Sequence, residues 1–218
     1  MTTKFRIVRQ HFNKVDTVIH KAMEGVNFDD WIKPRKNKLN GNDYFIALCK
    51  EIIGQQLSGK AANAILRRFN QLFDDGEANA EKLIHMKDNA LRNAGMSWSK
   101  ASYVKNIAKA YLDKTVNFNK LNSLSNEEVI EELTTIKGVG PWTAEMFLIF
   151  TLGREDVFSY GDLGLKKGFS YLYQIENPTN EQIEKAVTKW TPYKTYGSIT
   201  LWNSLDKSVV EASKELRE

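Results

Sequence analysis

Between Leu133 and Phe150 the chain reads LTTIKGVGPWTAEMFLIF, a string that no single helix can contain. Apolar residues at helical spacing lie on both sides of Gly138-Val139-Gly140-Pro141. Glycine reaches backbone shapes closed to other residues and lets the backbone come close to a ligand. Pro141 suits the first position of a following helix, where its missing N–H would be unpaired in any case. The string therefore predicts two helices joined by a compact hairpin, the first starting near Asn126 and running through Val129, Leu133 and Ile136. Unpaired N–H groups of such a hairpin and of the next helix start would point outward together and favour an anion such as a phosphate. A tight helix–helix turn, with glycines chosen for close packing, is the other reading of the same residues.

The rest of the chain has the same character. FNKVDTVIHKAME and DYFIALCKEII carry apolar residues three and four apart, and KAANAILRRFNQLF puts Ala61, Ile65, Leu66, Phe69 and Leu72 on one face. SKASYVKNIAKAYL reads as a helix capped by Ser99. Ser125-Asn126-Glu127-Glu128 and Thr179-Asn180-Glu181-Gln182 fit the capping box, and Gly95 and Gly153 read as helix stops. Roughly ten helices are expected, with no period-two alternation, so the fold class is all-α. Irregular stretches near residues 40 and 160 are the expected boundaries.

Composition removes several classes of function. The lone cysteine, Cys49, excludes an internal disulfide framework, a cysteine-based zinc site and a four-cysteine iron–sulfur cluster. Three scattered histidines form no metal constellation. No apolar run is long enough to span a membrane and the first residues lack a signal-peptide core, so a reducing cytoplasm is expected. A net charge of +4 is compatible with a polyanionic partner without requiring one.

IKGVGPWTAEMFLIF resembles the hairpin of the helix–hairpin–helix (HhH-GPD) DNA glycosylase superfamily, most of all its 3-methyladenine DNA glycosylase II-like branch. EIIGQQLSGKAANAI, LRNAGMSWSKASYVKNIA and DVFSYGDLGLKKGF resemble further segments of that branch in the same order, and TPYKTYGSITLW extends the likeness towards the C-terminus. The resemblance implies two helical lobes flanking a DNA-binding cleft: residues 41–153 with the hairpin, and residues 1–40 plus 154–218, with Asp162 at the junction. About 40 residues precede it, too few for the N-terminal β domain of larger members. It also implies a monofunctional enzyme of base-excision repair that excises alkylated purines by base flipping. Such an enzyme would act as a monomer on double-stranded DNA containing damaged bases, with no required cofactor, and would be associated with the nucleoid in a bacterium.

The site residues follow from the same likeness. Asp162, in SYGDLGLKKGF, matches the catalytic aspartate; a fixed carboxylate would stabilise the positive charge that develops on the sugar and could orient the attacking water. It also precedes a helix and reads equally as an N-cap. Trp142 and Trp202 match aromatic walls of the base pocket, with Met146 one turn beyond Trp142 and Tyr160 in the aspartate loop; core packing is the alternative for each. In GQQLSGK, Gln56 matches the residue that fills the gap left by the base, with Leu57 as an apolar substitute and Ser58 beside it. Gly138, Gly140, Lys137 and Lys166 are expected at the DNA backbone. Backbone carbonyls of Thr134, Ile136 and Val139 match the place where family hairpins hold a monovalent cation, Na+ or K+.

Members that also cut the strand carry a lysine two residues after the second glycine, and here that position is Trp142. Without an amine there is no Schiff base at that site. The competing readings are a non-catalytic helix–hairpin–helix DNA-binding protein and a bifunctional oxidised-base glycosylase/lyase, the latter disfavoured by Trp142.

Overall fold

The computed structural model describes residues 3–32, 39–57, 59–74 and 76–215, with side chains as far as Leu205. Among the described residues the fold is all-α, with no strand. In chain order the helices are α1 (Thr3–Val15), α2 (Thr17–Ala22), α3 (Phe28–Trp31), α4 (Gly41–Gly54), α5 (Gly59–Asn70), α6 (Ala80–His85) and α7 (Asp88–Asn93). They continue with α8 (Trp98–Leu112), α9 (Asn126–Thr134), α10 (Pro141–Met146), α11 (Leu163–Tyr173), α12 (Asn180–Val187) and α13 (Lys194–Glu215). The excess over the expected ten comes mostly from short helices. The run FNKVDTVIHKAME is two helices, because Asp16 leaves helical geometry and caps α2. The chain divides into two compact units, Met1–Pro34 with Gly153–Glu218, and Arg35–Leu152.

In the unit of Arg35–Leu152, α8 packs against α4 and α6, around buried Leu48, Ile52, Val104, Ile107, Leu133 and Phe147. The capping box at Ser125 forms as expected, with Ser125 Oγ accepting from Glu128 N–H at 3.1 Å and Glu128 accepting from Ser125 N–H at 2.7 Å. The cap of α8 is Ser97 and not Ser99: its Oγ accepts from Lys100 N–H at 3.1 Å, and the helix starts two residues earlier, at Trp98. Ile136 lies past the end of α9 and Leu72 past the end of α5, so the apolar pattern outruns the helix in both cases. After α10 the chain continues as a π-helical segment, Phe147–Leu152, most of it buried.

The other unit closes on Phe12, Ile19, Phe28, Phe169, Trp190 and Ile199. The capping box at Thr179 opens α12, and Gly153 takes a φ of +69°. Helices α11 and α13 make the most extensive pairing, and Gly168 sets how close they come: a Cβ there would lie 2.5 Å from the Leu201 carbonyl oxygen. Asp16 ties the unit together. One carboxylate oxygen accepts from Val18 and Ile19 N–H at 3.1 Å each, and the other from Trp190 Nε1–H at 2.8 Å and from the Tyr173 hydroxyl. Burial, and then the Asp16 charge, push the Tyr173 hydroxyl well above the usual tyrosine range. Asp16→Ala removes a helix cap and strands two aromatic donors, so it should lower the unfolding free energy by about 3 kcal/mol in urea titrations. Asp16→Asn, which keeps an oxygen in place, should lose less.

Candidate active site

Asp162 begins α11. Its Oδ1 accepts from Leu165 N–H at 2.7 Å, which is the capping bond, and from Trp202 Nε1–H at 3.0 Å. Cap and positioned carboxylate, alternatives in the sequence, are thus one arrangement. The loop before it is fixed from α13. Buried Thr195 donates through Oγ1 to the Arg154 carbonyl at 2.7 Å and accepts from Val157 N–H at 3.2 Å, and its own N–H reaches the Glu155 carbonyl at 2.9 Å. Asp156 also faces α13, accepting from Lys194 N–H at 3.3 Å, as a structural loop residue. Asp162 N–H then closes the Ser159–Asp162 turn on the Ser159 carbonyl at 3.1 Å. Tyr160, 42% exposed, stands on that turn with its ring 4.9 Å from Phe158. Partial burial and the nearby Glu184 charge raise its hydroxyl above the ordinary value. Lys166 is half-buried one turn into α11.

Trp202 is brought to Asp162, but one of its faces is already covered. Trp31 of α3 lies parallel to it, ring centroids 6.1 Å apart and planes 11° apart. The base-wall expectation for Trp202 therefore becomes an expectation about the rest of its surface.

The hairpin and the loop after α4 belong to the other unit. Gly138 takes a φ of +102°, and a Cβ there would sit 2.2 Å from the Tyr103 ring, so both backbone shape and packing demand glycine. Gly140 differs: its φ is −97° and a Cβ would meet nothing within 4 Å. Pro141 is the first residue of α10, as expected, and Trp142 follows at 37% exposure. Met146 is 4% exposed. Lys137 is exposed, its carbonyl accepting from Asn106 Nδ2–H at 2.9 Å. Among the proposed cation ligands, the Ile136 carbonyl accepts from Val139 N–H at 2.9 Å. Thr134 turns its hydroxyl back to the Ile130 carbonyl at 2.7 Å, leaving its side chain out of the turn.

Gln56 and Leu57 are both exposed, with Gln56 in the left-handed region at φ +57°. Ser58 lies outside the described residues. The residues that hold this loop were not singled out by the sequence. Lys100 donates to the carbonyls of Ile53 and Gln55 at 2.9 and 2.7 Å, satisfying the end of α4, and Gln55 Nε2–H reaches Thr143 Oγ1 at 2.7 Å. The loop after α4 and the helix α10 are thereby tied within one unit. Among the described residues no cluster of His, Cys, Asp or Glu could hold a metal ion, and no helix is long and apolar enough to cross a membrane.

Residues 49–193 match the family described as HhH-GPD superfamily base excision DNA repair protein. The chain belongs to this superfamily. A DNA-3-methyladenine glycosylase 1 of Schizosaccharomyces pombe is 37% identical over 160 residues, 72% of this chain and 70% of that protein. A DNA-3-methyladenine glycosylase of Saccharomyces cerevisiae is 32% identical over 225 residues, 97% of this chain and 74% of the other. Among solved structures, a 3-methyladenine DNA glycosylase of Schizosaccharomyces pombe in complex with abasic DNA superposes with a TM-score of 0.77 at 32% identity, covering 89% of this chain and 94% of that one.

In this HhH-GPD chain α4 also carries a half-buried acid, Glu51. Burial pushes the Glu51 carboxyl from its ordinary 4.5 up to about 7. The folded state thus keeps a proton that the unfolded chain releases, and stability falls as pH rises from about 4.5 to about 7. The loss attributable to this group is about 3 kcal/mol. Glu51→Gln should flatten that slope in urea titrations at pH 5 and pH 8, with its gain in stability appearing at pH 8.

Proposed function

We propose that the protein is a monofunctional DNA glycosylase that excises alkylated purines of the 3-methyladenine type from duplex DNA in base-excision repair. The observation that carries this reading is the Asp162 carboxylate, tied by two N–H donors at the start of α11. The names of the relatives support the lesion class.

A base inside a duplex must be extruded before its glycosidic bond can be reached. Hydrolysis breaks the C1′–N bond, the bonding electrons leave with the base, and water adds its hydroxyl to C1′ while its proton passes to solvent. Positive charge grows on the sugar as the bond lengthens. A carboxylate already oriented stabilises that charge without reorganising at the moment of reaction. An alkylated purine that carries a positive charge departs as a neutral base, so the chain needs no strong acid to assist departure. Trp142 offers an electron-rich face on which an electron-deficient base stacks. Met146 in the same unit, and Tyr160 and Trp202 in the other, are likewise read as base-binding residues. Gln56, with Leu57 and Ser58, would fill the vacated stack.

Gly138 and Gly140 with Lys137 and Lys166 are read as backbone contacts. Phosphate gripping by main chain fixes register without reading sequence, which suits an enzyme that must act anywhere. Gly140, whose missing side chain answers to no internal neighbour, fits an external approach. A monovalent cation fits the carbonyls of Thr134, Ile136 and Val139, since a carbonyl oxygen that accepts one hydrogen bond keeps a second lone pair. Bound there, it would add positive charge beside a phosphate. We read the enzyme as a monomer, working in the cytoplasm or nucleoid if the source is bacterial.

Incubation with methylated duplex DNA should release free methylated purine and leave strands intact until alkali is added. Asp162→Asn should abolish release while retaining DNA binding; continued excision by that variant would show the mechanism to be wrong. Binding without excision across a broad lesion panel would instead establish a non-catalytic DNA-binding module. Gly140→Ala should keep the stability of the unmodified protein and weaken binding to abasic duplex by about tenfold, roughly the worth of one charge-assisted contact. Replacing Na+ and K+ by tetramethylammonium at constant ionic strength should weaken binding if the hairpin holds a cation.

A further inference from the structure

Trp31 lies outside every segment that carries the family resemblance, and it sits at the end of the four-residue helix α3. Its indole nevertheless stacks on that of Trp202, which donates to Asp162 Oδ1. We propose that Trp31 is a positioning residue for Asp162: it fixes the plane of Trp202, and through it the direction of the N–H that holds the carboxylate. The proposal rests on the reading of Asp162 as the charge-stabilising group.

Three observations support it. First, the 6.1 Å centroid separation with planes 11° apart is an offset stack, the favoured geometry of parallel aromatic rings. A hydrogen bond from a ring N–H is directional, so a tilt of the indole plane weakens it. Second, α3 is itself anchored. Phe28, one turn before Trp31, is 3% exposed and packs edge-on against Tyr196 of α13, at a centroid distance of 5.3 Å. The stack is thus referred to the helix that carries Trp202.

Third, Gly164 leaves the space the indole needs. A Cβ there would lie 3.0 Å from Asp162 Oδ1 and 3.1 Å from both Trp202 Cδ1 and Nε1. Its backbone is ordinary helix, so the close meeting of carboxylate and indole is the reason for glycine. Trp202 is therefore confined by a ring over one face and by a missing side chain beside its N–H edge.

The test is single-turnover excision from radiolabelled methylated duplex DNA, beside affinity for a duplex containing a tetrahydrofuran abasic analogue. A positional error of about 1 Å can cost up to 100-fold in rate, so Trp31→Ala should slow excision by about tenfold or more with affinity held within about twofold. Trp31→Phe, which keeps a stacking ring, should recover most of the rate. Gly164→Ala should slow excision in the same manner. The proposal is overturned if Trp31→Ala excises at the unmodified rate, if its rate and affinity fall together, or if Trp31→Phe is no faster than Trp31→Ala. Asp162→Asn separates the two levels. Loss of excision in that variant together with an unaffected Trp31→Ala refutes the positioning role alone, whereas excision by Asp162→Asn removes the reading beneath it.

Discussion

One carboxylate oxygen, Asp162 Oδ1, takes both the Leu165 N–H and the Trp202 indole N–H. A helix cap contributes about 1 kcal/mol, and a hydrogen bond to a charged group about 1.5–3 kcal/mol. These are modest sums for stability, but their geometric consequence is large. An aspartate that caps a helix cannot change rotamer without releasing the first turn. Much of the architecture of its unit serves that fixation. Gly168 lets the backbones of α11 and α13 approach, Gly164 clears the gap between carboxylate and indole, and Thr195 holds the loop that delivers the residue.

The two hairpin glycines answer to different constraints, though the sequence prints them as a pair. Gly138 is required by its positive φ and by the Tyr103 ring beneath it, so it belongs to the fold. Gly140 has an ordinary φ and empty space where a side chain would be. The packing reading of Gly-x-Gly is thus met at Gly138, whereas nothing inside the protein explains Gly140. Nor is the hairpin isolated, because Asn106 and Tyr103 of α8 support it while Lys100 of the same helix secures the end of α4. One helix therefore supports both the hairpin and the loop after α4.

What could be read from sequence was what depends on neighbours along the chain. Capping boxes at Ser125 and Thr179, Pro141 at a helix start and Asp162 before α11 are local patterns, and each appears where its pattern sits. Local patterns also mislead by small steps: the sequence pattern puts the cap of α8 at Ser99, and the structure puts it two residues earlier, at Ser97. The long-range ties left no such trace. Trp31 is one aromatic before an irregular stretch, and Lys100 one lysine among many on a helix. Their partners are a ring and two carbonyls distant in sequence, to which periodicity is blind. Gly164 and Gly168 offered a faint signal, since two glycines inside one predicted helix suggest that something presses against it.

In the proposed glycosylase reading, the choice between hydrolysis and strand cleavage would fall on one side chain, Trp142. The shape of the turn owes most to Gly138 and Pro141, and the residue after Pro141, Trp142, lies in the first turn of α10 at 37% exposure. Lysine there would bring an amine whose lone pair can attack C1′ and form a Schiff base, from which the strand can be cut. The indole of Trp142 has an N–H whose lone pair is delocalised into the ring, so it offers a donor and a π face but no nucleophile. In the proposed mechanism water is then the attacking group, and Asp162 would stabilise the charge on the sugar through bond cleavage. On that proposal the carboxylate has to be oriented before the bond breaks, and the two N–H donors on Asp162 Oδ1 give it one fixed direction.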